Sequence, residues 1–320
     1  MKVSVVIPVY NRADLIIDAL NSLKRQRFTD FEVIIIDDGS NDNVKDIISL
    51  YQHDLKLKYL YKSHTGNIAY LRNQGTFLAE GEYIAVLDSD DWCQDDRLEL
   101  QYEYMINNKE CDILASWVYI VDDVHDENTK RLEQLYNKKY CRDEIIKCCL
   151  NDGSCICHST VMMKKDLLTK LNGYDERMYI CEDFNLWLRA ILANARIEII
   201  PKKLVYRRIH RNSVTAGYNG ADDSVRLVIN NKLQYLYRVG KLNNKIIIWG
   251  KNSRDKILIK ELSKFNINVN DILIIDIYQQ NNYFVDNTAF HLVTTYSHKK
   301  EVFKYFDNNG LSIVDDYIYI

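Results

Sequence analysis

The chain has 320 residues, of which 47% are hydrophobic and 27% are charged, and its formal net charge at pH 7 is -3. This length and composition predict a globular protein with room for one large domain and one smaller domain. The slightly negative charge argues against a nucleic acid partner, because proteins that bind nucleic acid usually present a basic face.

The first residues lead directly into an apolar segment that contains Pro8, without the pattern of a signal peptide. No uncharged apolar run approaches the length that a bilayer crossing needs. The 8 cysteines form no repeated C-x-x-C pair, and the fragment Cys155-Ile156-Cys157-His158 lacks a second ligand pair at zinc-finger spacing. We therefore expect a cytoplasmic protein with reduced thiols.

Strands and helices are predicted to alternate through the first ninety or so positions. Apolar runs at 3–10, 31–36 and 83–87 predict strands buried on both faces, and apolar residues at helical spacing predict helices near 15–23 and 44–51. Right-handed parallel crossovers bring the loops after such strands to one edge of the sheet. The polar residues that follow each strand should therefore share one crevice.

The loop after the strand at 83–87 carries three carboxylates, those of Asp88, Asp90 and Asp91. Such a cluster is costly to bury without a cation, and Mg or Mn takes oxygen ligands and also holds phosphate oxygens. The alternative is an acidic surface turn at the start of the next helix.

Arg72 lies on a helix that follows His64-Thr65-Gly66-Asn67. Its guanidinium could pair with one of the acidic loops or reach a phosphate, and an ordinary surface position is an equally open interpretation.

The next hundred residues predict further strands and helices. Helices are expected at 95–105 and 142–150, strands at 113–120, 158–163, 197–200 and 204–206, and a charged loop at 122–139.

Two polar groups in this part could carry chemistry. Glu182 and Asp183 begin a predicted helix, where they either favour its positive end or provide a general base. His210 lies in a basic, hydroxyl-rich loop at 207–215, where it is either a nitrogen ligand to a metal or an ordinary loop histidine.

Taken together, these motifs resemble glycosyltransferase family 2 over about residues 1–215. The resemblance is carried, in the order of the chain, by Pro8-Val9-Tyr10-Asn11, Asp37-Asp38-Gly39-Ser40, Asp88-Ser89-Asp90-Asp91, Glu182-Asp183 and the loop 208–215. It implies an α/β fold of the GT-A type and an inverting transfer of sugar from a nucleotide-sugar, most often a UDP-sugar, to a hydroxyl.

The resemblance also implies roles for individual residues. Tyr10 would stack on the base, Asp38 would hold the base edge and Asp88 would contact the ribose. The metal, Mn or Mg, would be held by Asp90 and His210. Asp183 matches the general base, with Glu182 as the neighbour that could be mistaken for it. The implied nucleotide-sugar-binding residues are Pro8, Tyr10, Asn11, Asp37, Asp38, Arg72, Asp88, Ser89 and Arg208.

The family further implies a glycan or lipid-linked acceptor in capsule, lipopolysaccharide or other surface polysaccharide synthesis. Such an acceptor would be presented at the inner face of the cytoplasmic membrane, so the expected membrane association is peripheral.

The predicted organisation is a GT-A domain at 1–218, with a nucleotide-binding half at 1–92 and an acceptor half at 93–218. A helical connector at 219–243 and a small Rossmann-like α/β domain at 244–320 follow. Gly250 is the first glycine of a dinucleotide fingerprint whose other glycines are missing, so bound NAD is not expected. We expect this domain to serve homo-oligomerisation or partner docking.

Three rival functions are weighed against the transferase. A sugar-phosphate nucleotidyltransferase would need a glycine-rich basic loop after the first strand, where this chain has Tyr10-Asn11-Arg12. A D-x-D phosphatase would carry its motif after the first strand. A non-catalytic nucleotide-sugar-binding protein is disfavoured by the acidic pair Glu182-Asp183.

Overall fold

The computed structural model describes most of the chain. The described residues are 1–122, 127–151, 153–210, 222–243, 245–250, 252–265, 267, 272–276, 285–295 and 297–320. They divide into two compact units, one formed by Met1–Ile145 and Ser154–Asn219 and the other by Ile146–Gly153 and Gly220–Ile320. Within the described part, no helix is both long enough and apolar enough to cross a membrane.

The amino-terminal half of the first unit alternates strands and helices, as the apolar pattern predicts. Its elements are β1 (Val3–Val9), α1 (Ala13–Lys24), β2 (Phe31–Asp37), α2 (Val44–Ser49), β3 (Leu57–Tyr61), α3 (Ile68–Leu78) and β4 (Tyr83–Val86). The four strands are parallel in the order β3-β2-β1-β4. Their carboxyl ends therefore lie along one edge, which is where the polar loops converge.

The remainder of the first unit extends this sheet to eight strands. Its elements are β5 (Trp92–Cys93), α4 (Arg97–Asn107), β6 (Ile113–Asp122), α5 (Glu127–Tyr136), α6 (Arg142–Asn151), β7 (Met162–Lys164), α7 (Lys165–Lys170), α8 (Glu182–Leu192) and β8 (Ile197–Ile209), and α6 continues into the second unit. β7 pairs antiparallel with both β4 and β6, whereas β8 runs parallel to β6 and antiparallel to β5. The result is a mixed sheet that joins the two halves of the unit.

The charged stretch at 122–139, expected to be a loop, contains α5. Its apolar residues Leu132, Leu135 and Tyr136 recur at helical spacing, which the high charge of the segment obscures.

Residues 158–163 were expected to form one strand, but His158–Thr160 is a short 3-10 helix and the strand starts only at Met162. The Thr160 hydroxyl donates to the Cys157 carbonyl at 2.7 Å, a local bond that competes with sheet pairing.

The two short strands predicted at 197–200 and 204–206 are one strand, β8, whose pairing with β6 is irregular around Ser116 and Trp117. Pro201 lies at this irregularity, which is where a strand tolerates a residue without a backbone donor.

The second unit contains a small parallel sheet in the order β10-β9-β11-β12. Its elements after α6 are α9 (Asp222–Arg238), β9 (Lys245–Trp249), α10 (Ser253–Leu262), β10 (Leu273–Ile275), β11 (Ala289–Val293), α11 (Lys299–Asn308) and β12 (Tyr317–Tyr319). The apolar residues at 311–314 predict a last strand there, but the last strand of the structure lies further along the chain, where Tyr317 is fully buried.

Helix α9, set apart as a connector in the sequence analysis, belongs to the second unit. Asn230 on this helix donates to Glu261 of α10 at 2.8 Å, and Lys232 donates to the carbonyl of Tyr319 at the same distance. The core of the unit is built on Trp249, whose indole Nε1 donates to Nδ1 of the buried His291 at 2.8 Å.

Candidate active site

A cavity of about 390 Å³ lies in the first unit at the carboxyl edge of β1, β2 and β4. It is lined by most of the residues that the sequence analysis singled out, which are Pro8, Tyr10, Asp38, Arg72, Asp88, Ser89, Asp90, Glu182, Asp183 and Arg208. Three others, Asn11, Asp37 and His210, do not line it.

One end of the cavity is formed by Tyr10, His64 and Asp38. The Tyr10 and His64 rings are stacked with their centres 4.0 Å apart. Asp38 Oδ1 accepts from the backbone and the hydroxyl of Thr65 at 2.9 and 2.8 Å, while Oδ2 accepts from the Gly66 N–H at 2.9 Å and lies 3.0 Å from His64 Nδ1. The Asp38 carboxylate, which was expected to bind the edge of the nucleotide base, therefore also holds residues 64–66 in place.

Gly39 allows this loop to come close. A Cβ at Gly39 would lie 2.7 Å from the backbone nitrogen of His64, and its φ of +79° is in the left-handed region. A larger residue there would push the loop away from Asp38.

Asp37 and Asn11 support the site from outside the cavity. Asp37 is buried and accepts hydrogen bonds from the Ser40 N–H at 2.8 Å and the Tyr59 hydroxyl at 2.6 Å. The Asn11 side chain accepts from the Asn41 N–H at 2.7 Å. Both side chains fix the loops that follow β1 and β2.

Arg72 links the two halves of the site. Its guanidinium is buried and donates from Nη2 to Asp88 at 2.8 Å and from Nε to Glu182 at 3.2 Å. Burial is the largest single effect and would raise the pKa of Asp88, but the charge and hydrogen bond of Arg72, with the neighbouring His158 and Ser159, together outweigh it and lower the pKa to about 2. Within the described residues Arg72 Nη1 is buried without a partner, so it can donate to a ligand oxygen.

Glu182 and Asp183 begin α8 but have different surroundings. Glu182 is buried against Arg72, and its burial together with the neighbouring Asp183 charge raises its pKa to about 7 in spite of the guanidinium. Asp183 faces the cavity, accepts a hydrogen bond from the Phe184 N–H at 2.7 Å and forms no ion pair within the described part of the chain. Burial raises the pKa of Asp183 as well.

The acidic loop after β4 is held by Arg208. The Arg208 N–H donates to Asp91 at 2.8 Å, its Nε donates to the Asp90 carbonyl at 3.2 Å, and its Nη2 reaches Asp18 at 2.5 Å. Asp91 is buried, and that burial, with the nearby charges of Asp90 and Asp88, raises its pKa well above the usual range.

The described residues offer part of a metal site. Asp90 Oδ2 lies 2.8 Å from Nε2 of His210. No group of three or more His, Cys, Asp or Glu side chains in the described chain is arranged to hold an ion. A carboxylate and an imidazole side by side nevertheless fit a divalent cation whose other ligands come from a bound diphosphate. The rest of the predicted basic loop, residues 211–215, lies outside the described residues.

A column of stacked side chains extends from this loop. Arg208 lies over the Trp92 ring at 4.9 Å, Trp92 stacks on Tyr206 at 5.1 Å, and Tyr206 stacks on Tyr119 at 4.5 Å. The column ends at Lys203, 5.0 Å from the centre of the Tyr119 ring. Cation–π contact and ring stacking together fix the direction in which Arg208 points.

Four further cavity residues, His64, Tyr136, His158 and Arg207, were not assigned roles in the sequence analysis. Tyr136 ends α5, and its hydroxyl accepts from Arg207 Nη1 at 3.0 Å. His158 Nε2 lies 2.9 Å from the Tyr174 hydroxyl, and its burial, with the charge of Arg72, lowers its pKa. Of these four residues, Tyr136 could have been found from the sequence, because the apolar residues of α5 recur at helical spacing up to this position.

The first unit combines a parallel α/β half, a half with mixed strands and an acidic crevice at the edge of their shared sheet. This combination defines the GT-A fold of sugar transferases, so the predicted fold is confirmed. The profile described as "Glycosyl transferase family 2" matches residues 4–171, more than half of the chain. The chain belongs to this family, as its motifs predicted.

Individual relatives agree with this assignment. The chain is 33% identical to an uncharacterized glycosyltransferase of Methanocaldococcus jannaschii over 65% of this chain and 70% of that protein. It is 30% identical to the O-antigen biosynthesis glycosyltransferase WbnJ of Escherichia coli over 75% of this chain and 95% of WbnJ. Three longer Rickettsia relatives are matched over only 33%, 33% and 30% of their own length.

Among solved structures, the chain resembles residues 1–349 of S. aureus TarS in complex with UDP-GlcNAc. The TM-score is 0.63 at 22% identity, and the match covers 83% of this chain and 80% of TarS 1–349. This similarity supports the fold.

Proposed function

We propose that the protein is a metal-dependent, inverting glycosyltransferase. It moves a sugar, a hexosyl or N-acetylhexosaminyl group, from a UDP-sugar to a hydroxyl of a glycan or lipid-linked acceptor. The observation that carries the proposal is that one cavity holds the Asp88–Asp90 loop and Arg72 together with the carboxylate of Asp183, which forms no ion pair with any described residue.

In the proposed reaction the acceptor oxygen attacks the anomeric carbon from the face opposite to the diphosphate. The new carbon–oxygen bond forms as the bond to the phosphate oxygen breaks, and the nucleoside diphosphate leaves with that electron pair. Asp183 takes the proton of the attacking hydroxyl. Burial raises the pKa of Asp183 and makes the carboxylate a stronger base than an exposed aspartate.

The donor is proposed to bind along β1, β2 and β4. The Tyr10 ring would stack on the base, Asp38 would bind the edge of the base and Asp88 would contact the ribose. Arg72 Nη1 offers a buried donor to a ligand oxygen. Asp90 and His210 would hold Mn or Mg, which when bound neutralises charge on the leaving diphosphate. The UDP-GlcNAc in TarS makes this the first donor to test.

The proposed setting is surface polysaccharide synthesis, for which the near full-length match to WbnJ is the support. An acceptor on a lipid carrier would place the enzyme peripherally at the inner face of the cytoplasmic membrane. The second unit is proposed to serve oligomerisation or partner docking.

The test is a panel of UDP-, GDP- and CDP-sugars, each assayed for slow hydrolysis and for thermal stabilisation with Mn, Mg or EDTA. We expect one UDP-sugar to respond only in the presence of metal, and Asp90→Ala to lose the response. The absence of any response to every nucleotide-sugar and metal would contradict the proposed function.

A further inference from the structure

Arg207 is a cationic residue of the cavity wall. Its Nη1 donates to the Tyr136 hydroxyl at 3.0 Å, and its guanidinium carbon lies 5.4 Å from the centre of the Tyr136 ring. Among the described residues no carboxylate comes within ion-pair distance of the guanidinium. The Tyr136 contacts hold the group in one orientation, and the bond to the Tyr136 hydroxyl occupies one of its N–H donors.

The neighbouring arginines of the same cavity behave differently. Arg72 bonds Asp88 and Glu182, and Arg208 bonds Asp18. Their charges are therefore neutralised inside the protein. Arg207 is partly buried, lines the cavity and forms no such ion pair among the described residues, so an anionic ligand would compensate its charge.

The position of Arg207 indicates which ligand carries this anion. The residue lies on β8, which is separated from β1, β2 and β3 in the strand order of the sheet by β4, β7 and β6, and it contacts α5. Its charge is among those that favour the ionised form of the Asp183 carboxylate. Asp183 and Arg207 line the same cavity. If Asp183 takes the proton of the acceptor hydroxyl, Arg207 can therefore hold an anionic group of the same acceptor.

We propose that Arg207, oriented by Tyr136, binds an anionic group of the acceptor, a phosphate or a carboxylate near the hydroxyl that receives the sugar. This inference rests on the proposed function and narrows its acceptor to anionic glycans or phosphate-linked carriers. The donor diphosphate is the other source of the same chemistry, and the experiment separates the two.

The test uses the full chain saturated with UDP and Mn, titrated calorimetrically with glycerol 3-phosphate and, separately, with glycerol. Arg207→Gln is compared with Lys202→Gln, which removes the same charge from an exposed position on the same strand, where Lys202 pairs with Asp96 at 2.8 Å. We expect glycerol 3-phosphate, and not glycerol, to bind the wild type and the Lys202 variant. Binding to Arg207→Gln should be weaker by about tenfold or more, with UDP affinity unchanged.

Tyr136→Phe provides a second variant should Arg207→Gln fail to fold. It keeps the guanidinium but removes the hydroxyl that accepts from it, so glycerol 3-phosphate should bind several-fold more weakly and UDP normally. A wild type that does not bind glycerol 3-phosphate, or an Arg207 variant that binds it equally well, overturns the proposal. A parallel loss of UDP affinity also overturns it and assigns Arg207 to the donor. If neither the wild type nor any variant binds UDP, the result counts against the proposed function. The role of Arg207 is then tested separately, by titrating glycerol 3-phosphate in the absence of UDP.

Discussion

The imidazole Nε2 of His210 lies 2.8 Å from the carboxylate Oδ2 of Asp90, although 120 positions separate the two residues in the chain. Strand β8 ends beside the loop after β4, so that a ring nitrogen and a carboxylate oxygen meet at the edge of the cavity. This pairing brings together two residues for which the family resemblance implied a shared metal.

Substitution of either residue should weaken metal binding. In the presence of UDP, Asp90→Asn and His210→Ala are each expected to reduce Mn affinity at least about tenfold, or by about 1.4 kcal/mol, because each removes one ligand. The measurement is a Mn titration followed by electron paramagnetic resonance of the free ion. Asp95→Asn, which changes an exposed carboxylate paired with Arg25, is the control and should bind Mn normally. Normal Mn affinity in the Asp90 variant would show that the ion, if any, binds elsewhere.

Asp183→Asn should reduce the turnover number about 100-fold or more while donor KM changes little, because the amide cannot accept the hydroxyl proton. Burial raises the pKa of Asp183, and the base must be ionised to act. Activity should therefore fall as the pH is lowered through a value above the usual aspartate pKa of about 3.9. The checks are steady-state kinetics of the variant and a pH profile of kcat/KM for the wild type. Near wild-type turnover in Asp183→Asn would remove this residue as the base.

Glu182→Gln should affect the donor more than the chemical step. Glu182 contacts Arg72, which in turn holds Asp88, so the neutral amide is expected to loosen the donor side of the cavity. Donor KM should rise several-fold, and kcat should fall far less than in Asp183→Asn. The two variants assayed side by side decide between the neighbouring acids, since the opposite ranking would identify Glu182 as the base.

Arg97 is expected to be important for stability rather than activity. Its side chain is 0% exposed and donates to the Val86 carbonyl at 2.9 Å and to Gln101 at 3.0 Å, which connects α4 to β4 just before the acidic loop. Arg97→Met should lower the free energy of unfolding by about 2–4 kcal/mol, because it leaves buried carbonyl groups unpaired. Arg25→Met, at an exposed arginine, should change it by no more than about 0.5 kcal/mol. Urea unfolding followed by circular dichroism compares the two variants, and equal stabilities would refute the assignment.

The second unit should lose stability in mild acid through His291. Nδ1 of this buried ring accepts from Trp249 Nε1, and Nε2 faces the Asp286 carbonyl at 3.1 Å, so the neutral ring fits both partners. Burial lowers the pKa of His291 although Asp286 and Asp316 oppose the shift. The unfolded chain therefore binds the proton more readily, and this stabilisation, complete above about pH 6.5, is lost as the pH falls toward the lowered folded pKa.

His291→Asn keeps an acceptor for the indole but cannot titrate. Thermal unfolding between pH 8 and 5 should show a smaller acid-induced decrease in Tm for this variant than for the wild type. Identical pH dependence in the two proteins would show that other groups control it.

The sequence was sufficient to predict those parts of the site that depend on local pattern. Asp88, Asp90 and Asp91 follow a buried parallel strand, so their place at the carboxyl edge of the sheet follows from the crossover rule. That rule does not place Glu182 and Asp183, which come after the antiparallel strand β7 and were assigned to the site by the family resemblance alone. Local pattern was not sufficient to choose between neighbours, such as Asp37 and Asp38. Asp37 ends β2 and turns to Tyr59, whereas Asp38 turns to the cavity.

Arg207 and Tyr136 show what depends on tertiary packing. Arg207 comes from the end of a long strand, and its partner comes from a helix whose charged sequence predicted a loop. Their meeting is set by how α5 packs against β6 and β8, which no short window of sequence contains. The displaced strand β12 has a similar origin, because both 311–314 and Tyr317–Tyr319 are apolar enough for a strand and only tertiary pairing with β11 selects the second.

The stacked column that begins at Arg208 gives the molecule a natural optical reporter. Trp92 lies between a guanidinium and the Tyr206 ring, at the base of the loop that bears Asp88 and Asp90. A change in the position of Arg208 alters the electric field across the indole and therefore the wavelength and intensity of its emission. With Trp117, Trp187 and Trp249 replaced by phenylalanine, occupation of the cavity could be followed from the fluorescence of this single side chain, without any attached dye.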